Sequence, residues 1–132
     1  MHKISVKTSQ RQEFVDITQI VQALVPEAYN GACLVYVPHT TAGITINEHA
    51  DPNVARDIIK HLKKLVPAND GFSHAEGNSD AHIIAAILGS SVTVIIENGK
   101  LVLGTWQGIF FADFDGPRNR KAFVKFISSK AL

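Results

Sequence analysis

Polar and apolar positions alternate in short runs along the chain. In "HKISVKT" Ile4 and Val6 fall on one side and Ser5 and Lys7 on the other, which is the period of a half-buried strand. A second short strand is predicted in "EFVDI". From Asp16 or Thr18 a short helix is predicted over "TQIVQALVPEA", where Ile20, Val21, Leu24 and Val25 recur at helical spacing and Pro26 marks the stop. "GACLVYVP" reads as a nearly continuous apolar strand. "GITINE" reads as another, with Ile44 and Ile46 facing away from Thr45 and Asn47. The connector between these two strands, "HTTAG", is polar where its neighbours are not.

The longest periodic segment is "DPNVARDIIKHLKKLV". Asp51 can cap the free amides of a helix, Pro52 suits its first turn, and Val54, Ile58, Leu62 and Leu65 make one apolar stripe. Arg56, Lys60, Lys63 and Lys64 then face solvent, and basic groups in the last turns complement the negative end of the helix dipole. "PANDGFSHAEGNSD" follows without periodicity, long enough for a connector to suggest function. It enters a short apolar helix, "DAHIIAAILG", which Ser79 or Asp80 could cap and Gly89 close.

The rest reads as sheet. "SVTVIIE" and "KLVLGTW" flank Asn98-Gly99, the pair that best tolerates positive φ at both centres of a type I′ turn. "QGIFFADF" and "KAFVKFI" flank "DGPRNR", a further turn. Six or more strands with two or three interspersed helices describe an α+β domain of mostly antiparallel pairings. Because "SVTVIIE" and "QGIFFADF" carry apolar residues on both faces, either two sheets pack together or a subunit interface covers the second face.

Composition narrows the function classes. At 132 residues and 45% hydrophobic content, the chain suits a single domain with its own core. Thirteen Lys and Arg against 12 Asp and Glu leave a net charge of +1, which gives no general electrostatic pull toward nucleic acid or an anionic membrane. The single cysteine, Cys33, lies in the apolar "ACLVYV" and is expected to be a buried structural thiol in a reducing compartment. The polar start and the lack of a long apolar run predict a soluble, cytoplasmic protein.

Three of the six histidines stand out. His61 belongs to the solvent side of the long helix and His2 to the terminus, while His49, just past a strand end, is ambiguous. His39, His74 and His82 each lie at an element edge or in the long loop, among small polar residues. His74 and His82 bracket a glycine-containing loop that enters a helix, where free amides favour an anion such as phosphate or carboxylate. Neutral imidazoles there suit a metal such as zinc; protonated ones suit acid catalysis or phosphate binding. No His-Glu-x-x-His signature is present, so a metal set of His39, His74 and His82 requires folding to bring His39 in.

Each group also has a plainer explanation. Backbone carbonyls can satisfy a histidine, Glu48 can sit at the start of the following helix, and Asn78 and Ser79 can cap. Trp106 can be a core aromatic and Gln107 a sheet-end amide. Joint occurrence is what favours a site.

The motifs "PHTTAGITINEHADP", "HAEGNSDAHIIAAILG" and "LVLGTWQGIFFADFDGPRNRK" together resemble the YjbQ family, small proteins sometimes described as secondary thiamine-phosphate synthases. The resemblance covers nearly the whole chain. It departs at Ile84, since the family commonly has lysine where this chain reads His82, Ile83 and Ile84. It implies one YjbQ-like domain over residues 1–132, a β-sandwich-like α+β fold and a homotrimer. It further implies a polar pocket near a subunit interface, lined by His39, Glu48, His74, Asn78, His82, Trp106 and Gln107. No organic cofactor is implied.

Two functions follow as expectations. The first is an enzyme for a small phosphorylated or anionic metabolite, with a thiamine-phosphate-forming transfer as a side activity. There His39, Glu48 and His82 would do acid and base work, and Thr40, Thr41, Asn78, Ser79, Trp106 and Gln107 would hold substrate. His39, His74 and His82 would take any divalent metal, zinc being favoured. Arg118, Arg120 and Lys121 would contribute only if folding brings them close. The second is a non-catalytic trimeric module that binds a metabolite or a metal at the same cleft.

Overall fold

The alternating segments pair into two antiparallel sheets, seen in a computed structural model that describes residues 1–129. In chain order the elements are β1 (His2–Lys7), β2 (Glu13–Asp16), α1 (Thr18–Leu24), β3 (Gly31–Tyr36), β4 (Ala42–Glu48), α2 (Pro52–Leu65), α3 (Ser79–Leu88), β5 (Ser91–Glu97), β6 (Lys100–Leu101), β7 (Gln107–Asp113) and β8 (Asn119–Ser128). One sheet runs β1-β8-β3-β5-β6 and the other β2-β7-β4. Three helices on mostly antiparallel sheets make this the α+β fold that the alternation predicts, and the two packed sheets agree with the sandwich-like core that the resemblance implies.

Alternation also decides what lies between the layers. Ile4, Val6, Cys33, Val35, Val94, Ile96, Ala122 and Val124 point inward from the five-stranded sheet. They meet Ile44, Ile109 and Phe111 of the three-stranded sheet in one buried cluster. Ala112 and Phe114, of opposite parity in and just after β7, enter a second cluster with Leu62 of α2 and Ala81, Ile84 and Ala85 of α3. The layers are therefore sheet, sheet and helices, and the two apolar faces of "QGIFFADF" are both explained. Those of "SVTVIIE" are not, because Ile95 stays 64% exposed. In register across the sheet, Ile95 and Ile127 flank Ala32, and Phe123 flanks Tyr36. An apolar strip is left open on the outer face.

Local chemistry accounts for most element ends. Asp51 Oδ1 accepts the Asn53 amide at 2.9 Å and Pro52 opens α2, a cap of the kind that stabilises a helix by about 1 kcal/mol. Asn98 and Gly99 both have positive φ, 48° and 77°, at the β5–β6 hairpin.

Four local expectations change. Leu65 is 63% exposed, because Val66, four residues after Leu62, takes the buried slot of the stripe. Ile20 of α1 is 46% exposed, and the core position there is Val21. "KLVLGTW" is a strand only at Lys100–Leu101. The N-cap of α3 is Asn78, and no side chain caps that helix.

Cys33 is fully buried, and burial pushes its thiol up to about 11; it is an inert core group. Among the described residues no helix is long and apolar enough to cross a membrane.

Candidate functional site

The loop after β3 is pinned at both ends. The Val37 amide donates to the Ser90 carbonyl at 2.8 Å and the Phe114 amide to the Thr41 carbonyl at 3.1 Å. His39, Thr40 and Thr41 are thereby held beside the start of α3. α3 is itself docked on β4, since the Ile44 amide donates to the Gly89 carbonyl at 3.1 Å. Gly43 permits that approach, because a Cβ there would come 2.7 Å from the same carbonyl oxygen.

Between the β3–β4 loop, the loop before α3 and the turn before β8 lies a cavity of about 430 Å³. His39, His74 and His82 line it, as do Thr40, Thr41 and Asn78. The three histidines singled out from sequence thus meet at one place, and Arg118 and Arg120 join them from "DGPRNR". Ser79, Lys121 and Ile84 do not line it. Ile84 is fully buried in the cluster with Leu62 and Phe114, so the departure from the family pattern falls on a core position. A smaller cavity of about 270 Å³ shares His39, Thr40 and His82, and runs on past Ala42, Ala85, Ala86 and Ser90.

The floor is a buried polar network. β8 alternates Arg120, Ala122 and Val124 inward, so a guanidinium sits at a core parity with 6% exposure. Arg120 Nη2 donates to Asp113 Oδ1 at 2.7 Å and to Thr41 Oγ1 at 2.8 Å. Asp113 is fully buried and also accepts from Thr8 Oγ1 at 2.7 Å and from the Asp115 amide at 3.0 Å. Burial alone would raise the Asp113 carboxyl, but these donors outweigh it and hold the group below its usual range. Two buried side-chain atoms of the lining have no partner: Nε of Arg120 and Oδ1 of Asn78.

At the rim Asp115 Oδ2 accepts from Asn78 Nδ2 and from Arg118 Nη2, both at 2.9 Å, and Arg118 Nε donates to the Asp115 carbonyl at 2.7 Å. Asn78 donates to Asp115 through Nδ2, while Oδ1, the atom that would cap α3, has no partner. The rings of His74 and His82 lie edge to face with centroids 5.4 Å apart. His39 accepts a hydrogen bond at Nε2 from the Lys121 amide, 3.0 Å away, which places its ring proton on Nδ1. Burial and then the nearby positive charge of Arg120 push the His39 pKa down, so its imidazole is neutral at neutral pH.

A zinc set of His39, His74 and His82 would have to displace a bond already made. The Nε2 lone pair of His39 is already engaged by Lys121. Among the described residues no group of three or more His, Cys, Asp or Glu side chains is arranged to hold a metal ion.

Glu48, Trp106 and Gln107, expected on the same pocket, sit elsewhere. Glu48 and Gln107 face each other at the far end of the β4–β7 ladder, about 20 Å from the start of β4 at the ordinary rise per residue. There Glu48 Oε2 accepts the Asp51 amide at 3.2 Å and Gln107 Oε1 the Gly104 amide at 2.8 Å. Trp106 is 62% exposed. The seven-residue β4 separates the two groups in this fold.

Arg120, conditional on folding in the sequence, does reach the cavity, whereas Asp113 is a residue that sequence reasoning missed. The usable signal was parity, since an arginine in phase with Ala122 and Val124 must have a buried anionic partner.

Comparison with known proteins agrees with the fold. A family model described as UPF0047 protein YjbQ-like matches residues 2–129. A UPF0047 protein of Methanocaldococcus jannaschii is 54% identical over 98% of this chain and 96% of its own length. YugU of Bacillus subtilis is 48% identical over 92% and 95%. Among solved structures, a YjbQ/UPF0047-family protein from Clostridium acetobutylicum superposes with a TM-score of 0.93 at 56% identity, covering 96% of this chain and all of that one. A YbjQ-like protein from Sulfolobus solfataricus gives 0.92 at 36% identity, covering 97% and 96%.

Proposed function

The chain belongs to the UPF0047 family of YjbQ-like proteins, and from that premise we propose that it is an enzyme acting on a small phosphorylated or otherwise anionic metabolite in the cavity of His39, His74 and His82. The observation that carries this reading is Arg120. Its guanidinium is held rigidly by Asp113 and Thr41, yet its Nε is buried without a partner. A buried donor in that state costs about 1–3 kcal/mol unless something else accepts from it. Arg118, the Thr40 hydroxyl and the imidazoles add donors around it, the equipment needed to stabilise a multiply charged oxyanion.

The residues divide the work as follows. Arg118 and Arg120 bind and orient the anion, and Thr41 acts by fixing Arg120. His39, neutral with its proton on Nδ1, donates a hydrogen bond to a substrate oxygen. His82, at the first turn of α3, supplies the general acid or base. The small residues Ala42, Ala85 and Ala86 leave room for the substrate's apolar body. In a thiamine-phosphate-forming side reaction, a thiazole nitrogen forms the new C–N bond as the C–O bond to pyrophosphate breaks, and these donors receive the departing charge.

The same reading includes self-association as a homotrimer. Its support is the exposed Ile95 and Ile127 on either side of half-buried Ala32, with exposed Tyr36 beside half-buried Phe123. Glu48, Trp106 and Gln107 would join the cavity only from a neighbouring copy.

The test is turnover. Parent protein given a pyrimidine diphosphate and a thiazole phosphate releases pyrophosphate and thiamine phosphate, and His82→Ala slows this by about 100-fold or more. Equal rates in parent and variant would remove His82 from the chemistry. A non-catalytic trimeric module is the second reading, favoured by the one cysteine being sealed in the core as a high-pKa thiol. Reproducible multiple turnovers exclude it.

A further inference from the structure

A second cavity, of about 380 Å³, lies between β2 and the start of α2 and shares no lining residue with the first. Its balance of charge is the reverse. Where the first sets two arginines and three imidazoles against Glu76 and Asp115, this one gathers the carboxylates of Glu13, Asp16 and Asp51, with Arg56 as the lone arginine or lysine of the lining. Glu13 already accepts from the Ser9 amide at 2.8 Å and the Ser9 hydroxyl at 3.1 Å, with oxygen lone pairs to spare. Arg56 Nη1 is occupied with Asn53 Oδ1 at 2.9 Å.

Two features go beyond an acidic cluster. The first is Gln12, which lines the cavity at 7% exposure and whose Oε1 is buried without any partner. That carbonyl has lost water and gained nothing from the protein, so a ligand N–H would satisfy it. The second is a built Asp–His pair. Nδ1 of His49 lies 2.8 Å from Asp16 Oδ2, while Asp16 Oδ1 is fixed by the Thr18 amide at 3.0 Å and the Thr18 hydroxyl at 2.5 Å. Burial pushes the Asp16 carboxyl up, but the bonds from Thr18 and His49 hold it below its usual value. The His49 ring packs on the β7 backbone at Gly108, where any Cβ would collide with it. In the tautomer that carries its proton on Nδ1, that nitrogen donates to Asp16 and Nε2 is an acceptor.

The remaining wall is aromatic. Phe14 and Phe110 line the cavity with ring centroids 5.6 Å apart, a surface that attracts a cation as well as an apolar body.

We infer that this cavity binds a small protonated amine with an aromatic or apolar body, its N–H groups received by Gln12 Oε1, His49 and the carboxylates of Asp16 and Glu13. The site is independent of the anion cavity. A ligand recognised here could be a second substrate or an effector, and both share the ammonium group.

The probe is benzylammonium, titrated at neutral pH with the ring nitrogens of His49 followed by long-range proton–nitrogen NMR. Benzyl alcohol and benzoate serve as uncharged and anionic controls. Saturable shifts at His49 with benzylammonium and neither control are expected. Asp16→Asn keeps an oxygen for Thr18 but removes the charge, and should weaken binding about fivefold or more; Arg56→Glu, an exposed change, should tighten it by a similar factor. Inorganic phosphate should leave His49 unshifted while moving the signals of His39 or His82. No saturable shift, equal response to the controls, or identical affinity in parent and both variants would overturn the assignment.

Discussion

The backbone amide of Lys121 donates to Nε2 of His39 across 3.0 Å. This bond ties the start of β8 to the loop after β3, fixes the tautomer of the ring and turns the proton-bearing nitrogen into the group left for a ligand. A histidine that the sequence leaves open to metal ligation or to acid and base work thereby keeps Nδ1–H as its free donor.

A consequence is visible in acid. The His39 pKa is lowered on folding, by burial first and then by Arg120, so the unfolded chain takes up this proton more readily. The stability it represents is present above about pH 6.5, the unfolded value, and is lost as pH falls through the lower folded value. Urea unfolding of parent and His39→Gln between pH 7.5 and 5 should show a steeper loss in the parent over that window. Parallel curves would mean that the ring is not held neutral.

The pair beneath it should be costly to break. Asp113 and Arg120 are 0% and 5% exposed at their side chains, and Asp113→Asn leaves a buried guanidinium without its counter-charge. The expected loss is about 3–5 kcal/mol in urea unfolding. A loss under about 1 kcal/mol, the range of exposed pairs, would show that water reaches the pair.

Metal content separates two uses of the same histidines. Protein purified without a histidine tag should carry well under one zinc per chain, unchanged in His74→Ala and His82→Ala. Stoichiometric zinc lost in both variants would make these rings ligands and displace the donor role given to His39.

The outer strip of the five-stranded sheet predicts assembly. Light scattering should give the mass of three chains, each of 14.4 kDa, and Ile95→Lys with Ile127→Lys should release monomers. Both positions are more than half exposed in the single chain, so the double variant should still fold. A parent that scatters as a monomer at working concentration would leave the strip without that purpose.

Much of this was legible in the sequence, and the limits are physical. Period-two runs such as Ile4 and Val6 declare their face locally, and Asp51-Pro52 and Asn98-Gly99 declare their turns through capping and positive φ. His39, His74 and His82 were recognisable as unusual, and they do share a cavity. Their separation from Glu48, Trp106 and Gln107 was not visible, because adjacency within "HTTAGITINE" hides that a strand carries its two ends apart. The Asp16–His49 pair was hidden for the converse reason. Thirty-three residues separate its members, and only the pairing of β2 and β4 on either side of β7 brings them together.

The most direct test of the anion cavity is a calorimetric titration of pyrophosphate into parent, Arg118→Ala and His82→Ala. Arg118 is half exposed, so its loss should not disturb the fold. The cavity predicts saturable binding to the parent that weakens about tenfold or more in Arg118→Ala, the worth of a charged hydrogen bond of about 1.5–3 kcal/mol, and measurably in His82→Ala. Binding of equal strength in all three, or none in the parent, would contradict the assignment of this cavity to a phosphorylated ligand.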